Sequence, residues 1–293
     1  MKPPLVQGLP LLTTASVRVV QWNISTMCQP KAIADFIEER IGQEPAIVCL
    51  EEVKRTSCDR LTGSLNPTSS CFSLDLREPG NNEGKERGMG IAVLAFGLPI
   101  ISLELLDRTV FPERTLSVLL HGVSGPIRVV AFHSLTGVGY GRTKASNFAS
   151  IADYLQLHRN ELDFLCFDAN EPNHDSMDVE KIVFSSRGDK GKVKKMALIM
   201  GSKKVHELSD SYADYLRSKG EVVTRDPLAV SYKTGTPTKK QAEKRYDYIM
   251  HSHTWRVTKC EYPYDDSIAA SSDHSAVFAD FELRDCSSLL GSG

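Results

Sequence analysis

The sequence predicts a layered α/β sandwich, in which two packed sheets carry helices on their outer faces. Short β-branched, apolar runs of strand length outnumber the stretches with helical spacing, and several follow one another with no helix between. A single doubly wound sheet would interpose a helix at each step, so paired sheets fit the pattern better. The strand-like runs are residues 17–22, 46–50, 72–76, 90–96, 100–106, 115–120, 127–133, 164–167 and 246–251. Helical spacing falls over residues 31–41, where Ile33, Phe36, Ile37 and Ile41 share a face, and over residues 143–157 and 209–218.

Composition sets bounds on the partners. The chain has 293 residues, with 37 acidic and 35 basic side chains and a formal charge of −2; 41% are hydrophobic and 25% charged. That balance describes a globular protein, not a disordered tail or a protein that coats nucleic acid by bulk charge. A phosphate-bearing substrate must then be drawn by local basic patches or a metal ion. No repeat or long linker interrupts the pattern, so residues 15–284 read as a single domain, with residues 1–14 and 285–293 as tails. Pro10 breaks the short apolar stretch of residues 9–12, and no run approaches the ~20 apolar residues of a membrane span. An intracellular monomer without stable membrane association is the expectation. Seven cysteines (Cys28, Cys49, Cys58, Cys71, Cys166, Cys260, Cys286) are an odd number without a C-x-x-C pair, which predicts reduced thiols. Cys49 and Cys166 lie in apolar runs and read as small buried hydrophobes.

The chemistry is carried by a repeated event, an apolar run that ends in a carboxylate, an Asn or a His. The endings are Val20-Gln21-Trp22-Asn23, Val48-Cys49-Leu50-Glu51-Glu52, Val130-Ala131-Phe132-His133, Leu165-Cys166-Phe167-Asp168-Ala169-Asn170, Arg245-Tyr246-Asp247-Tyr248 and Ser272-Asp273-His274. Taken singly, each is ordinary turn chemistry. Together they can converge at one edge of packed sheets. The oxygen donors Asn23, Glu52 and Asp273, with Asp168 and Asn170, suit Mg²⁺ or Mn²⁺ better than zinc. A basic strip (Lys181, Arg187, Lys190, Lys192, Lys194, Lys195, Lys203, Lys204), followed by Lys239, Lys240, Lys244 and Arg245, reads either as a nucleic-acid clamp or as a solvated loop, and its place between two motifs favours the clamp.

In this order the endings resemble the motifs of the endonuclease/exonuclease/phosphatase superfamily, the metal-dependent phosphodiesterases that include deoxyribonuclease I and the abasic-site endonucleases. Leu50-Glu51-Glu52 resembles the Leu-Gln-Glu motif, Asp168-Ala169-Asn170 the Gly-Asp-Phe-Asn motif, Arg245-Tyr246-Asp247-Tyr248 the Arg-Ile-Asp-Tyr motif, and Ser272-Asp273-His274 the closing Ser-Asp-His motif. The resemblance implies a four-layer sandwich of two mostly antiparallel sheets flanked by helices. It implies His274 as general base oriented by Asp247, and Mg²⁺ held by Glu52 with Asn23 and Asp273 in or near its shell. Asp168 and Asn170 would hold phosphate, metal or water, and His133, paired with Glu86, would donate toward the phosphate. Arg87, Lys54 and Arg114 are candidate phosphate contacts.

The departures carry their own expectations. Glu51 stands in place of Gln and reads as a surface residue; Phe167 stands where Gly is usual, which alters the backbone approach at Asp168; Ala169 replaces an aromatic. His121, His158, His174, His206, His251 and His253 read as surface or capping residues.

The function read from these residues is a Mg²⁺-dependent phosphodiesterase, Mn²⁺ being the other metal considered, and a nuclease acting on DNA ahead of RNA. The alternative is a phosphatase or phosphodiesterase of the same superfamily acting on inositol phosphates, phospholipids or small nucleotides. A silent binding module would have lost His133, Asp168 or His274, and all three are present.

Overall fold

The computed structural model describes residues 16–42, 45–78, 88–122, 124–185, 190–235 and 241–284. One sheet is built from β1 (Ser16–Asn23), β2 (Ala46–Lys54), β3 (Ser69–Phe72) and β4 (Met89–Phe96), joined late in the chain by β13 (Trp255–Glu261) and β14 (Val277–Leu283). Its strand order is β13-β14-β1-β2-β4-β3. The second sheet uses β5 (Ile100–Glu104), β6 (Thr115–Gly122), β7 (Gly125–His133), β8 (Phe164–Asp168), β9 (Ser209–Asp210) and β12 (Asp247–His251) in the order β5-β6-β7-β8-β12-β9. A small hairpin, β10 (Tyr232–Thr234) and β11 (Ala242–Lys244), stands apart from both.

The sheets follow one plan. Each has a parallel pair, β1 with β2 or β7 with β8, flanked by antiparallel neighbours. Helices α1 (Pro30–Ile41) and α2 (Arg55–Leu65) cover the outer face of the first sheet, and α4 (Gly137–Leu157) and α5 (Lys190–Met196) that of the second. Helices α3 (Ser73–Leu76), α6 (Ser211–Ser218) and α7 (Tyr264–Ala269) fill connections. The predicted four-layer sandwich is therefore the observed one.

Period-two alternation sorts the side chains between the layers. On β1, Val17 and Val19 enter the core between the sheets, while Val20 and Trp22 pack under α1 against Phe36 and Phe278. On β8, Phe164 and Cys166 face inward, while Leu165 and Phe167 pack under α4 with Phe148 and Ile151. Local signals set the ends of elements. Pro30 opens α1, where its missing N–H leaves no bond unmade, and Gly42 at φ +66 closes it. Asp210 caps α6 by accepting from the Tyr212 and Ala213 N–H groups.

Several boundaries differ from the sequence expectation. The run 72–76 is not a strand, because β3 ends at Phe72 and the chain turns into α3. Ser73 fixes that turn, its hydroxyl accepting from the Ile91 N–H at 2.8 Å and donating to the Glu113 carbonyl at 2.5 Å. Helix α4 starts earlier, at Gly137, and α6 later, at Ser211. Helices α2, α5 and α7 and strands β13 and β14 were not expected, because their apolar spacing is interrupted by charges on the solvent face. Six cysteines lie among the described residues and all are unpaired. No described helix is long and apolar enough to cross a membrane.

Candidate active site

The inward-facing rows turn from apolar to polar at one end of the sandwich. Val17 and Val19 lead to Gln21 and Asn23 on β1, and Ile47 and Cys49 to Glu51 on β2. Val129 and Ala131 lead to His133 on β7, Phe164 and Cys166 to Asp168 on β8, and β12 opens with Asp247 before Ile249. Strand pairing aligns these groups: Asn23 is opposite Glu51, His133 opposite Asp168, and Asp168 opposite Asp247. Alternation alone would turn Glu52 outward. A register shift between Leu50 and Val53 intervenes, and Glu52 adopts φ +54, a left-handed conformation that is uncommon outside glycine. Asn170 takes φ +49 just beyond Asp168, so two of the predicted site residues hold strained backbone.

The His274 imidazole enters from the connection preceding β14. Its Nδ1 lies 2.8 Å from Asp247 Oδ2. Its backbone is fixed on both sides: the Trp22 indole donates to the His274 carbonyl at 2.9 Å, and the His274 N–H donates to the Ser272 hydroxyl, itself bonded to the Asn23 carbonyl. Burial opposes a charge on His274, but the Asp247 and Asp168 carboxylates outweigh it and hold the imidazole pKa up at about 10. The Nε2 faces Asp168 Oδ2 at 4.0 Å, beyond hydrogen-bond reach and close enough for one intervening atom. Asp168 is raised to about 7, first by burial and then by Asp247, against the opposing pull of His274. It accepts from the Asn170 N–H at 2.8 Å and from the Asn23 and Asn170 amides at 3.1 and 3.2 Å.

Glu51 corrects a sequence expectation. It is fully buried, not on the surface, and both of its carboxyl oxygens accept from the Asp168 N–H at 3.1 Å. The Gln21 amide donates to Glu51 and to Asp247, each at 3.1 Å, and so ties the two sheets together behind the site. Burial, then Asp168 and Asp247, push the Glu51 carboxyl well above the usual carboxylate range, which favours its neutral form beside two other acids.

On the other flank, the His133 Nε2 is buried without a hydrogen-bond partner, 3.5 Å from Glu52 Oε1 and 3.7 Å from Asp168 Oδ2. Burial, followed by the nearby Arg114, His274 and Lys144 charges, lowers its pKa well below the histidine norm and keeps the ring neutral. Arg114 is only 6% exposed and lies over the Phe111 and Tyr140 rings. Its guanidinium makes no hydrogen bond or ion pair with any described residue. Lys144 of α4 was not singled out in the sequence. It is fully buried, donates to the Asn170 carbonyl at 2.9 Å and approaches Glu171 at 3.4 Å, which supports the strained Asn170 backbone. Its helical spacing gave no sign of this role, since a lysine on an amphipathic helix is ordinarily solvated.

The other predicted residues are placed less centrally. Glu86 and Arg87 lie outside the described residues. Lys54 is exposed beyond the bulge, where it opposes the upward push of burial on the Cys28 thiol. Asp273 is exposed at the rim, and Asn23 turns its amide NH₂, not its oxygen, toward Glu52 and Asp168. Arg245 leaves the basic strip altogether: it is buried between Asp175 and Asp210, with bonds of 2.7 to 3.1 Å that anchor the start of β12. Lys194, Lys195, Lys203 and Lys204 are exposed, whereas Arg187, Lys239 and Lys240 lie outside the described residues. His206 and His251 are buried, not surface residues, and bond to the Ile199 carbonyl and the Ser211 hydroxyl. Phe167 points away from the site and stacks between Phe132 and Tyr248 at 4.7 and 5.3 Å, so its bulk leaves the Asp168 backbone in register.

The donors fit a hard divalent cation. Oxygens of Glu52 and Asp168 converge beside the unpartnered His133 nitrogen. Asp168, Asp247 and His274 also offer ligand atoms within 4.8 Å of one another, but Asp247 and His274 already satisfy each other.

Comparison with solved structures decides the architecture. The human Nocturnin catalytic domain with bound sulfate superposes with a TM-score of 0.62 at 17% identity, covering 93% of this chain and 96% of its own. A humanized D. rerio TDP2 gives 0.61 at 10% identity, covering 92% and 100%. The endonuclease/exonuclease/phosphatase from Beutenbergia cavernae gives 0.62 at 18%, covering 92% and 72%. The chain has the endonuclease/exonuclease/phosphatase fold. No family model matches the sequence, and no curated protein matches it. The endonuclease/exonuclease/phosphatase architecture is thus carried by strand order and register at identities that leave few residues in common.

Proposed function

We propose that the protein is a metal-dependent phosphodiesterase that hydrolyses nucleic-acid phosphodiesters, DNA ahead of RNA. The observation that carries this reading is Arg114, a largely buried residue whose guanidinium makes no ion pair with a described residue and lies near the neutral His133, across from the acid cluster and the Asp247–His274 pair. A guanidinium held over two aromatic rings with no carboxylate partner among the described residues is free to take two oxygens of a phosphate bidentately. Glu52 and Asp168 would hold Mg²⁺ or Mn²⁺, with Asn23 aligning both carboxylates and Asp273 near the rim. The bound cation would supply charge neutralisation at the phosphoryl group.

The chain's own groups account for the remaining needs. A cation at Asp168 would offset one of the two carboxylates that keep His274 protonated; the freed Nε2 would then take a proton from a water held between it and Asp168, while Asp247 fixes the tautomer and stabilises the imidazolium. Asn170 and the neutral His133 would donate hydrogen bonds toward phosphate oxygens or the leaving oxygen. The site chemistry equally suits other phosphoesters, so the test is a panel. The protein is incubated with Mg²⁺, Mn²⁺ or EDTA and with supercoiled plasmid, linear and single-stranded DNA, RNA, an abasic duplex and a phosphoinositide. Metal-dependent cleavage of DNA lost in His274→Ala and Glu52→Ala supports the reading; wild-type cleavage by both variants sinks it.

A further inference from the structure

One residue holds both carboxyl oxygens of Asp168. The Asn170 N–H donates to Oδ1 at 2.8 Å, and the Asn170 side-chain amide donates to Oδ2 and to the Ser134 carbonyl, each at 3.2 Å. Asn170 does this at φ +49, a conformation that is costly outside glycine. Lys144 restrains that backbone from behind. It lies on the inward stripe of α4, one turn before Phe148 and two before Ile151, where the helical period calls for an apolar side chain. The side chain is fully buried, and its ammonium donates to the Asn170 carbonyl at 2.9 Å and lies 3.4 Å from Glu171 Oε1. Glu171 is buried as well, and its Oε2 accepts from the Ser185 N–H at 2.9 Å.

We propose that Lys144 is a positioning residue for hydrolysis: it fixes the Asn170 backbone and, through it, the direction in which the Asp168 carboxylate faces His274. The inference rests on the phosphodiesterase reading. Packing gives no reason for an ammonium at this place. A methionine would fill much of the same volume, and replacing a buried ion pair by apolar groups is often neutral or stabilising. The bond to the Asn170 carbonyl supplies the reason. It is charge-assisted, and it acts on the one residue whose backbone and side chain both grip Asp168. Asp168 Oδ2 stands 4.0 Å from His274 Nε2 and 3.7 Å from His133 Nε2, so a swing of that carboxylate disturbs both flanks of the site at once. Lys144 touches none of those groups directly, and its influence on turnover runs through Asn170.

The experiment uses Lys144→Met/Glu171→Gln, which removes the ammonium together with its counter-charge and leaves an acceptor for the Ser185 N–H. In steady-state cleavage of DNA with Mg²⁺, turnover should fall roughly 10- to 100-fold while KM changes by less than about twofold. On an Asn170→Gly background the positive φ is unstrained and the side-chain amide is gone. There the same double substitution should lower turnover by less than about threefold, because the path from Lys144 to Asp168 is already cut. Hydrogen exchange in EDTA gives a readout independent of cleavage. The Asn170 N–H should exchange about tenfold faster in the double variant, with the Phe164 and Ile249 amides unchanged. Equal losses of turnover on both backgrounds, a change in KM alone, or unaltered exchange at Asn170 overturns the proposal. Failure of the double variant to fold overturns it too, since the lysine would then be structural. Faster exchange at Asn170 in a protein whose wild type cleaves no phosphoester keeps Lys144 as the clamp on Asn170 and rejects the phosphodiesterase.

Discussion

Asp247 and His274 are joined at 2.8 Å, yet they come from different sheets: Asp247 opens β12, and His274 precedes β14. The pair exists only because the sheets are docked. Asp247→Asn should keep the fold but present the wrong hydrogen-bonding group to Nδ1. Turnover should fall by about 10³–10⁴ with little change in KM. Steady-state kinetics checks this, and a KM-only effect would assign Asp247 to binding.

Arg114 separates stability from function. Arg114→Met keeps the stem over Phe111 and Tyr140 while removing a largely buried cation that has no counterion among the described residues. The variant should gain about 1 kcal/mol of stability and lose about tenfold in inhibition by inorganic phosphate. Thermal unfolding and competition kinetics read the two effects separately; a loss of both would make the arginine structural.

The metal-free protein should lose stability as pH rises. His274 is raised from 6.5 to about 10, so its stabilising contribution is complete below 6.5 and disappears as pH passes through 10. Asp168 is raised from 3.8 to about 7, and its contribution likewise fades as pH rises through 7. Between pH 7 and 9 both act in the same direction, lowering stability by on the order of 2 kcal/mol, several degrees of Tm. Mg²⁺ favours ionised carboxylates and should flatten the slope. Melting curves in EDTA and in Mg²⁺ across that range test it; a Tm that climbs from pH 7 to 9 in EDTA would contradict the proton assignment.

Glu51→Gln should be tolerated, because an amide oxygen still accepts from the Asp168 N–H. Glu51→Leu should cost about 2–4 kcal/mol, since the Asp168 N–H loses its acceptor and the Gln21 amide one of two. Chemical denaturation distinguishes the two variants, and equal losses would remove the hydrogen-bond explanation.

Much of this site was legible in the sequence, because strand alternation carries through to the last polar residue. Val17, Val19, Gln21 and Asn23 are one inward row, and Asp168 continues Phe164 and Cys166 in the same way. Legibility fails where the period breaks. At β2 alternation carries Ile47 and Cys49 on to Glu51, but only the bulge and the positive φ of Glu52 bring the second glutamate to the site as well, which the period does not show. Arg245 and Lys144 were hidden for another reason: a cation is read as solvated unless its partners are known, and theirs are distant in sequence, as Asp175 and Asp210 are for Arg245. Strand β13 pairs its charged residues with those of β14 at a sheet edge, a pattern that only the tertiary partner explains.

The chain leaves the first sheet after β4, completes the second, and returns with β13 and β14 to close the first. His274 sits on that return path, so the proposed base is delivered after every other group of the site has emerged during synthesis. A growing chain can hold Glu52, His133, Asp168 and Asp247 and still lack His274, the proposed base. Hydrolytic competence at this site would thus wait for the closing strand β14, so a half-made chain could not yet act on the phosphoesters around it.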